Sequence, residues 1–324
     1  MSTTPSAAPA VSRRHLLAGA ALAATAASTL TARAADPAAP PQSPFTFCLN
    51  TSTIRGQKAG IAKEIELAAK AGYTAMEPWL NQFEAYVKDG GTLADLKKRF
   101  ADNGISVVNV IAFAPWLMGG DDDGANQKNM DTMKRDMETV AQVGGLRIAA
   151  SPAGAFKLEN LDLKLAARRY RKVIEIGEQA GVGAMLEFWG PSKSLYSLPE
   201  ALYIAAAAKH PKAMILCDVY HLHRGGSDYD ALALVDGAKL PVMHFNDFPG
   251  DVPREKLEDK NRLMPGDGVA PLTQILSTLA SVGARTALSL ELFNADVWKM
   301  DVADAMKMGI DKMRAAVAKA AGNA

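Results

Sequence analysis

Apolar and polar positions follow two rhythms along this chain. Short continuous apolar runs, such as Met214-Ile215-Leu216-Cys217, give way to longer stretches in which apolar residues recur every three or four positions. The first rhythm predicts strands buried on both faces, as in a parallel sheet; the second predicts amphipathic helices. Strands are expected at residues 47–50, 74–77, 106–112, 147–150, 184–187, 214–218, 242–244 and 286–291. Helices are expected at 58–71, 93–103, 128–143, 163–180, 199–209, 230–236, 271–282 and 302–320. Gly72, Gly104 and Gly181 stand where three of these helices should stop. Eight strand–helix units in this order predict an α/β fold, a single-domain (β/α)8 TIM barrel. A doubly wound open sheet is the alternative, but no G-x-G-x-x-G follows the first strand.

Four strands run into a residue that a buried strand has no structural need for: Glu187, Asp218, His244 and Glu291. In a closed parallel barrel these carboxyl ends converge on one face, where the loops build the site. Three carboxylates and one imidazole are hard oxygen ligands with a single nitrogen. They suit one divalent ion of the Mn²⁺, Mg²⁺ or Co²⁺ type better than a closed structural zinc site. Mn²⁺ is the first expectation, and Zn²⁺ stays open as a catalytic ion.

Residues 1–34 read differently. Ser12-Arg13-Arg14-His15-Leu16-Leu17 precedes an Ala-rich apolar run to about Leu30 and then Ala32-Arg33-Ala34. A charged start, an apolar middle and an A-x-A site form an export signal. The arginine pair resembles the twin-arginine signal, with Leu16 at the position usually held by Phe. The expected location is therefore the periplasm. A membrane anchor is the alternative, for which the run is short; no later segment has the pattern of a span. Residues 35–44 form a Pro/Ala linker, and 45–324 the barrel.

Removing 1–34 takes away Arg13, Arg14 and Arg33 and no acid, so the net charge moves from +1 to −2. That balance speaks against nucleic acid as a partner. Both cysteines, Cys48 and Cys217, fall inside expected strands and are read as buried free thiols.

The strand-end motifs resemble those of the xylose isomerase-like barrels, the group of sugar phosphate isomerases and epimerases. It includes ketose 3-epimerases, hydroxypyruvate isomerases and inosose dehydratases. The resemblance spans roughly 45–320. It rests on Glu187 in MLEFWG, Asp218 and His221 in CDVYH, His244 in HFNDF, PGDG at 265–268, and Glu291 in LELF. It implies that Glu187, Asp218, His244 and Glu291 bind the metal and that His221 touches substrate. Ketose epimerases of this group carry an arginine six residues after the metal histidine, where this chain has Gly250. Arg254 or Arg262 is the expected substitute.

Rearranging an α-hydroxyketone requires removal of a carbon-bound proton beside a carbonyl, giving an enediolate. A carboxylate within reach of the carbon serves as base, and a second can return the proton. Glu187 and Glu291 are the candidates. His221, Trp189, Glu77, Trp116, Arg254 and Arg262 are the expected substrate contacts. The tryptophans Trp79, Trp116, Trp189 and Trp298 all follow expected strands, and flat rings suit the C–H faces of a sugar. The leading reading is a metal-dependent isomerase or epimerase of a sugar or sugar-like ketone. A lyase or dehydratase of a keto-sugar or keto-glycoside is the alternative within the same chemistry. A non-catalytic carbohydrate-binding barrel is the alternative of another class. The expected partner is a small carbohydrate, with no membrane contact after signal removal; a homo-oligomer is open.

Overall fold

The computed structural model describes residues 43–120 and 124–322; the expected export signal, and the linker up to residue 42, lie outside them. The elements are β1 (Thr46–Asn50), α1 (Ile61–Ala71), β2 (Ala75–Glu77), α2 (Leu80–Lys88), α3 (Leu93–Asp102), β3 (Ser106–Val107), α4 (Ala125–Gln142) and β4 (Arg147–Ala150). They continue with α5 (Leu163–Ala180), β5 (Gly183–Glu187), α6 (Leu198–Ala207), β6 (Met214–Asp218), α7 (Val219–Arg224), β7 (Val242–His244), α8 (Leu272–Ser281), β8 (Ala287–Leu290) and α9 (Val302–Gly322).

All named strand pairs are parallel, and the sheet runs β3-β2-β1-β8-β7-β6-β5-β4. The remaining seam, between β3 and β4, is closed by backbone bonds. Leu146 N–H donates to Val107 O, Val110 N–H to Arg147 O, and Ala149 N–H to Val110 O, each at 3.0 Å. The barrel expected from the alternation is therefore present, and the open-sheet alternative is not.

Side chains of a strand alternate faces, and here the alternation divides the molecule into layers. Leu186, Ile215 and Leu288 point outward into the main core beneath the helices, whereas Met185, Leu216 and Ala287 form a small inner cluster. Two residues beyond the inner layer the same face turns polar. Ala75 is followed by Glu77, Met185 by Glu187, Leu216 by Asp218, and Val242 by His244. The period-2 register alone stacks these groups at one end of the lumen. Both cysteines are buried and free, as expected.

Three expectations about elements are corrected. Beyond Val107 the third strand gives way to single contacts, including a bridge from Trp79 to Ile111. Its partner segment contains Pro78, which has no N–H to donate to a ladder. The segment 80–88, to which no element was assigned, is the helix α2. The helix expected at 230–236 is a 3-10 turn at Tyr229–Leu234, and the helix after β6 is instead the six-residue α7. Asp218 starts α7: its Oδ1 accepts from Tyr220 N–H at 2.7 Å and His221 N–H at 3.1 Å.

Candidate active site

His244, fully buried at the end of β7, is the hub of the polar layer. Its Nε2 lies 3.1 Å from Glu77 Oε2, and its Nδ1 lies 2.9 Å from Glu291 Oε2 and 3.3 Å from Asp218 Oδ2. Glu187 Oε1 stands further off, 3.8 Å from the same nitrogen. Burial disfavours a charged ring here, but Glu291 and Glu77 outweigh it and raise the His244 pKa well above the usual imidazole range.

Each acid has a different set of partners. Glu77 accepts from Asn50 Nδ2 at 2.8 Å, Asn109 Nδ2 at 2.7 Å and Ser289 Oγ at 2.6 Å. Asp218 commits Oδ1 to capping α7 and keeps Oδ2 for the hub. Burial opposes its ionisation, yet Arg262 beside it holds the carboxyl well below the usual range. Glu187 faces the cavity, and burial, reinforced by Glu291, Asp218 and Glu77, pushes its carboxyl up to about 8 against the pull of His244.

Arg262 closes the cluster from above. Its Nη1 donates to Asp218 Oδ2 at 2.6 Å and to Glu291 Oε2 at 2.8 Å, and its Nη2 donates to Asp259 Oδ1 at 2.7 Å. The guanidinium also lies 4.5 Å from the Tyr220 ring centroid. Its loop is pinned by Asp247, which exchanges backbone bonds with Leu263 and whose side chain accepts from the N–H groups of Gly266, Gly268 and Ala270. A Cβ at Gly268 would fall 2.2 Å from Phe248 O, so the PGDG turn requires glycine there. The motif positions Arg262 rather than meeting the cavity itself.

His221 stands between two donors, with Gly190 N–H 3.2 Å from its Nδ1 and Arg262 Nη2 3.2 Å from its Nε2. Burial lowers its pKa to about 4, so the ring is neutral at pH 7. A Cβ at Gly190 would sit 2.7 Å from Gly225 N, and the close approach is possible only without one.

The polar floor opens into a cavity of about 220 Å³. Glu187, Glu291, His221, Arg262 and Asp259 line its lower part, and Trp79, Trp189 and three phenylalanines its walls. A larger cavity of about 450 Å³ lies between the loop after β1 and α2, away from the hub. The chemistry assigns the site to the smaller one.

A family model described as xylose isomerase-like TIM barrel matches residues 65–316. The chain belongs to that family. An inosose isomerase of Bacillus velezensis is 27% identical over 279 residues, 84% of this chain and 97% of that protein. A 3-dehydroshikimate dehydratase of Pseudomonas putida is 25% identical over 72% of this chain, but the match spans only 36% of that protein. Among solved structures, the IOLI protein with a bound zinc atom superposes with a TM-score of 0.77 at 25% identity, covering 85% of this chain and 98% of that one.

The residues of this family member fit a divalent cation. One ligand atom each of Asp218, His244 and Glu291 lies within 4.8 Å of the others, and all three residues are buried. Glu77 Oε2 stands 3.1 Å from the far nitrogen of His244, in the place of an outer partner of a metal-binding histidine. Glu187, the fourth expected ligand, borders this group at its longer distance.

Of the expected substrate contacts, Trp189, His221 and Arg262 line the cavity. Three do not. Trp116 is fully buried in the core, donates Nε1–H to Ser151 O at 2.8 Å and packs 6.0 Å from Tyr170. Arg254 is half exposed, pairs with Glu255 at 3.0 Å and borders a separate groove. Glu77 has its oxygens occupied by Asn50, Asn109, Ser289 and His244, and so meets the hub instead of the cavity. Of the two arginines expected to substitute for the one absent at Gly250, Arg262 is the one that reaches the cavity. Asn50, Asn109, Phe113 and Phe293 escaped the sequence reading. Asn50 ends β1 as the acids end their strands, whereas Asn109 falls inside the strand expected at 106–112 and carries no strand-end signal in the sequence.

Proposed function

We propose that this enzyme rearranges a sugar or sugar-like ketone by moving a proton at the carbon beside the carbonyl, with Glu187 and Glu291 as the proton-transfer carboxylates. The observation that carries the reading is the convergence of Asp218 Oδ2 and Glu291 Oε2 on His244 Nδ1, beneath a cavity that both glutamates line. Relatives named as isomerases and dehydratases support the same reaction class.

A divalent ion held by Asp218, His244, Glu291 and Glu187, Mn²⁺ in the first instance, would supply Lewis-acid polarisation of the substrate's carbonyl and hydroxyl oxygens. The protein's own groups do the rest. Glu187 in its ionised form, unburdened by the amide contacts that tie Glu291, takes the carbon-bound proton, so activity should rise as this raised carboxyl is deprotonated. Glu291, anchored by Asn50 Nδ2 at 3.0 Å and by Arg262, returns one or holds the substrate oxygen. His221 steadies the Arg262 guanidinium from 3.2 Å, and Arg262 compensates negative charge that develops on oxygen. The aromatic walls exclude water from the reacting carbon.

Turnover of free keto-sugars in D₂O with added Mn²⁺, followed by NMR, tests this reading. Deuterium should appear beside the carbonyl. A substrate that is converted with no exchange at that carbon in wild type, together with Glu187→Gln and Glu291→Gln variants at full rate, overturns it. Product structure separates rearrangement from elimination, the second reading that the dehydratase relative favours. The reaction belongs in the periplasm if residues 1–34 act as the twin-arginine signal. An Arg13→Lys/Arg14→Lys form should then stay in the cytoplasm, and equal export of both forms refutes the route.

A further inference from the structure

The walls above the polar floor form one continuous file of rings. Phe293 lies 6.0 Å from Trp79, Trp79 5.2 Å from Phe113, Phe113 6.3 Å from Trp189, and Trp189 6.4 Å from Phe156, centroid to centroid. The five rings come from segments following β8, β2, β3, β5 and β4, so most of the circumference contributes. Phe113 and Phe156 are 47% and 39% exposed. Arg55 covers the far end of the file, its guanidinium 5.1 Å from the Trp79 centroid and 5.6 Å from that of Phe293.

A free sugar explains the floor but not this collar. One ring sugar presents C–H surface to one or two aromatic faces, while its edge hydroxyls need hydrogen-bond partners. Phenylalanine offers none, and the Trp79 Nε1–H is already committed to Asn50 Oδ1 at 3.1 Å. Aromatic rings left open to solvent mark a surface that something apolar covers, and Phe113 and Phe156 are joined through partly buried rings to the catalytic cavity. The occupant of that surface is therefore part of what enters the cavity.

We propose that the substrate is a sugar bearing an aryl group, with the sugar ring on the carboxylate floor and the aryl ring held within the collar. This rests on the carbohydrate reading above and narrows it to aryl glycosides and their keto forms. Offset and edge-to-face contacts with Phe113, Phe156 and Trp189 supply the selectivity, since such pairs favour an aromatic partner beyond the area they bury.

The test is calorimetric titration of the metal-loaded full chain with two non-reacting probes, phenyl β-D-glucoside and methyl β-D-glucoside. Wild type should bind the phenyl probe at least about tenfold more tightly, and a Phe113→Ala/Phe156→Ala variant should reduce that ratio to below about threefold. Both side chains are partly solvent-exposed, and circular dichroism checks that the variant folds. Equal affinities in wild type, a ratio that survives the double substitution, or no binding of either probe each overturn the inference. A collar that instead covers a second copy of this chain would appear in sedimentation as a dimer lost in the variant, with no preference between probes, and that outcome overturns it too. Turnover of free keto-sugars in D₂O is judged separately, so the aryl inference and the reaction reading fail by different results.

Discussion

The two halves of the barrel mouth are built by the same register and do different work. In the half from β5 to β8, the inward residues at or just past the strand ends are Glu187, Asp218, His244 and Glu291, and the three acids all face His244. In the half from β1 to β4 the corresponding layer carries Asn50, Glu77 and Asn109. There the amides serve the acid: both donate to Glu77, which reaches across to His244, and Asn50 also donates to Glu291. One half gathers acids around His244 and turns Glu187 and Glu291 to the cavity. The other is a hydrogen-bonded brace that sets their orientation and leaves its upper surface apolar. A barrel end does not need chemistry on every strand; it needs some strands to hold the others still.

The largest test of this contrast is in rate. Glu187→Gln and Glu291→Gln should each lower kcat about 10²–10⁴-fold, whereas Asn109→Ala, which removes one donor from the brace, should stay within about tenfold to 100-fold. Steady-state kinetics at saturating metal decides it. An Asn109→Ala loss as deep as that of the glutamates would erase the distinction between the halves.

Next in size is a stability effect in the braced half, from a buried acid. Glu64 on α1 is 2% exposed, and burial pushes its carboxyl up to about 7 despite the hydrogen bond from Gln82 Nε2 at 2.8 Å. The folded chain thus holds this proton more tightly than the unfolded chain, whose carboxyl titrates near 4.5. Stability should fall as pH rises from about 4.5 to about 7 and level off above that. Glu64→Gln should remove a fall on the order of 2–3 kcal/mol, one pKa unit being about 1.4 kcal/mol. Urea midpoints at pH 5 and pH 8 provide the measurement. A variant-to-wild-type difference that is the same at both values refutes the assignment.

Glu77→Gln sharpens the comparison at the point where the halves touch. Metal affinity should drop about 10–100-fold, with most of kcat recovered when metal is in excess. Excess metal that restores nothing would put Glu77 on the substrate, as the sequence alone had it. The smallest effect concerns Trp116. Trp116→Phe should cost about 1 kcal/mol of stability through the lost bond to Ser151 O and leave KM unmoved. Trp189→Phe should shift KM instead. A KM change at Trp116 would return that residue to the site.

The sequence by itself determined the alternation of strands and helices, because buried parallel strands and amphipathic helices leave different apolar periods. It also marked the acids and the histidine that the structure brings together at the candidate site. An acid or histidine ending an apolar strand stands out without any knowledge of neighbours, and Glu187, Asp218, His244 and Glu291 were legible for that reason. Asparagines do not stand out in this way, since turns and caps use them everywhere. Only the tertiary structure could show that Asn50 and Asn109 both converge on Glu77. It alone decided between Arg262 and Arg254, which lie eight positions apart in one loop. Asp247 and the PGDG turn fold Arg262 inward onto Asp218 and Glu291, while Arg254 remains outside with Glu255. It also separated the tryptophans, sending Trp116 to the core and Trp79 and Trp189 to the cavity wall. A strand end fixes the height of a side chain in the barrel through a local register. The direction of a loop residue is set by contacts from segments far away in the chain, and no local pattern records them.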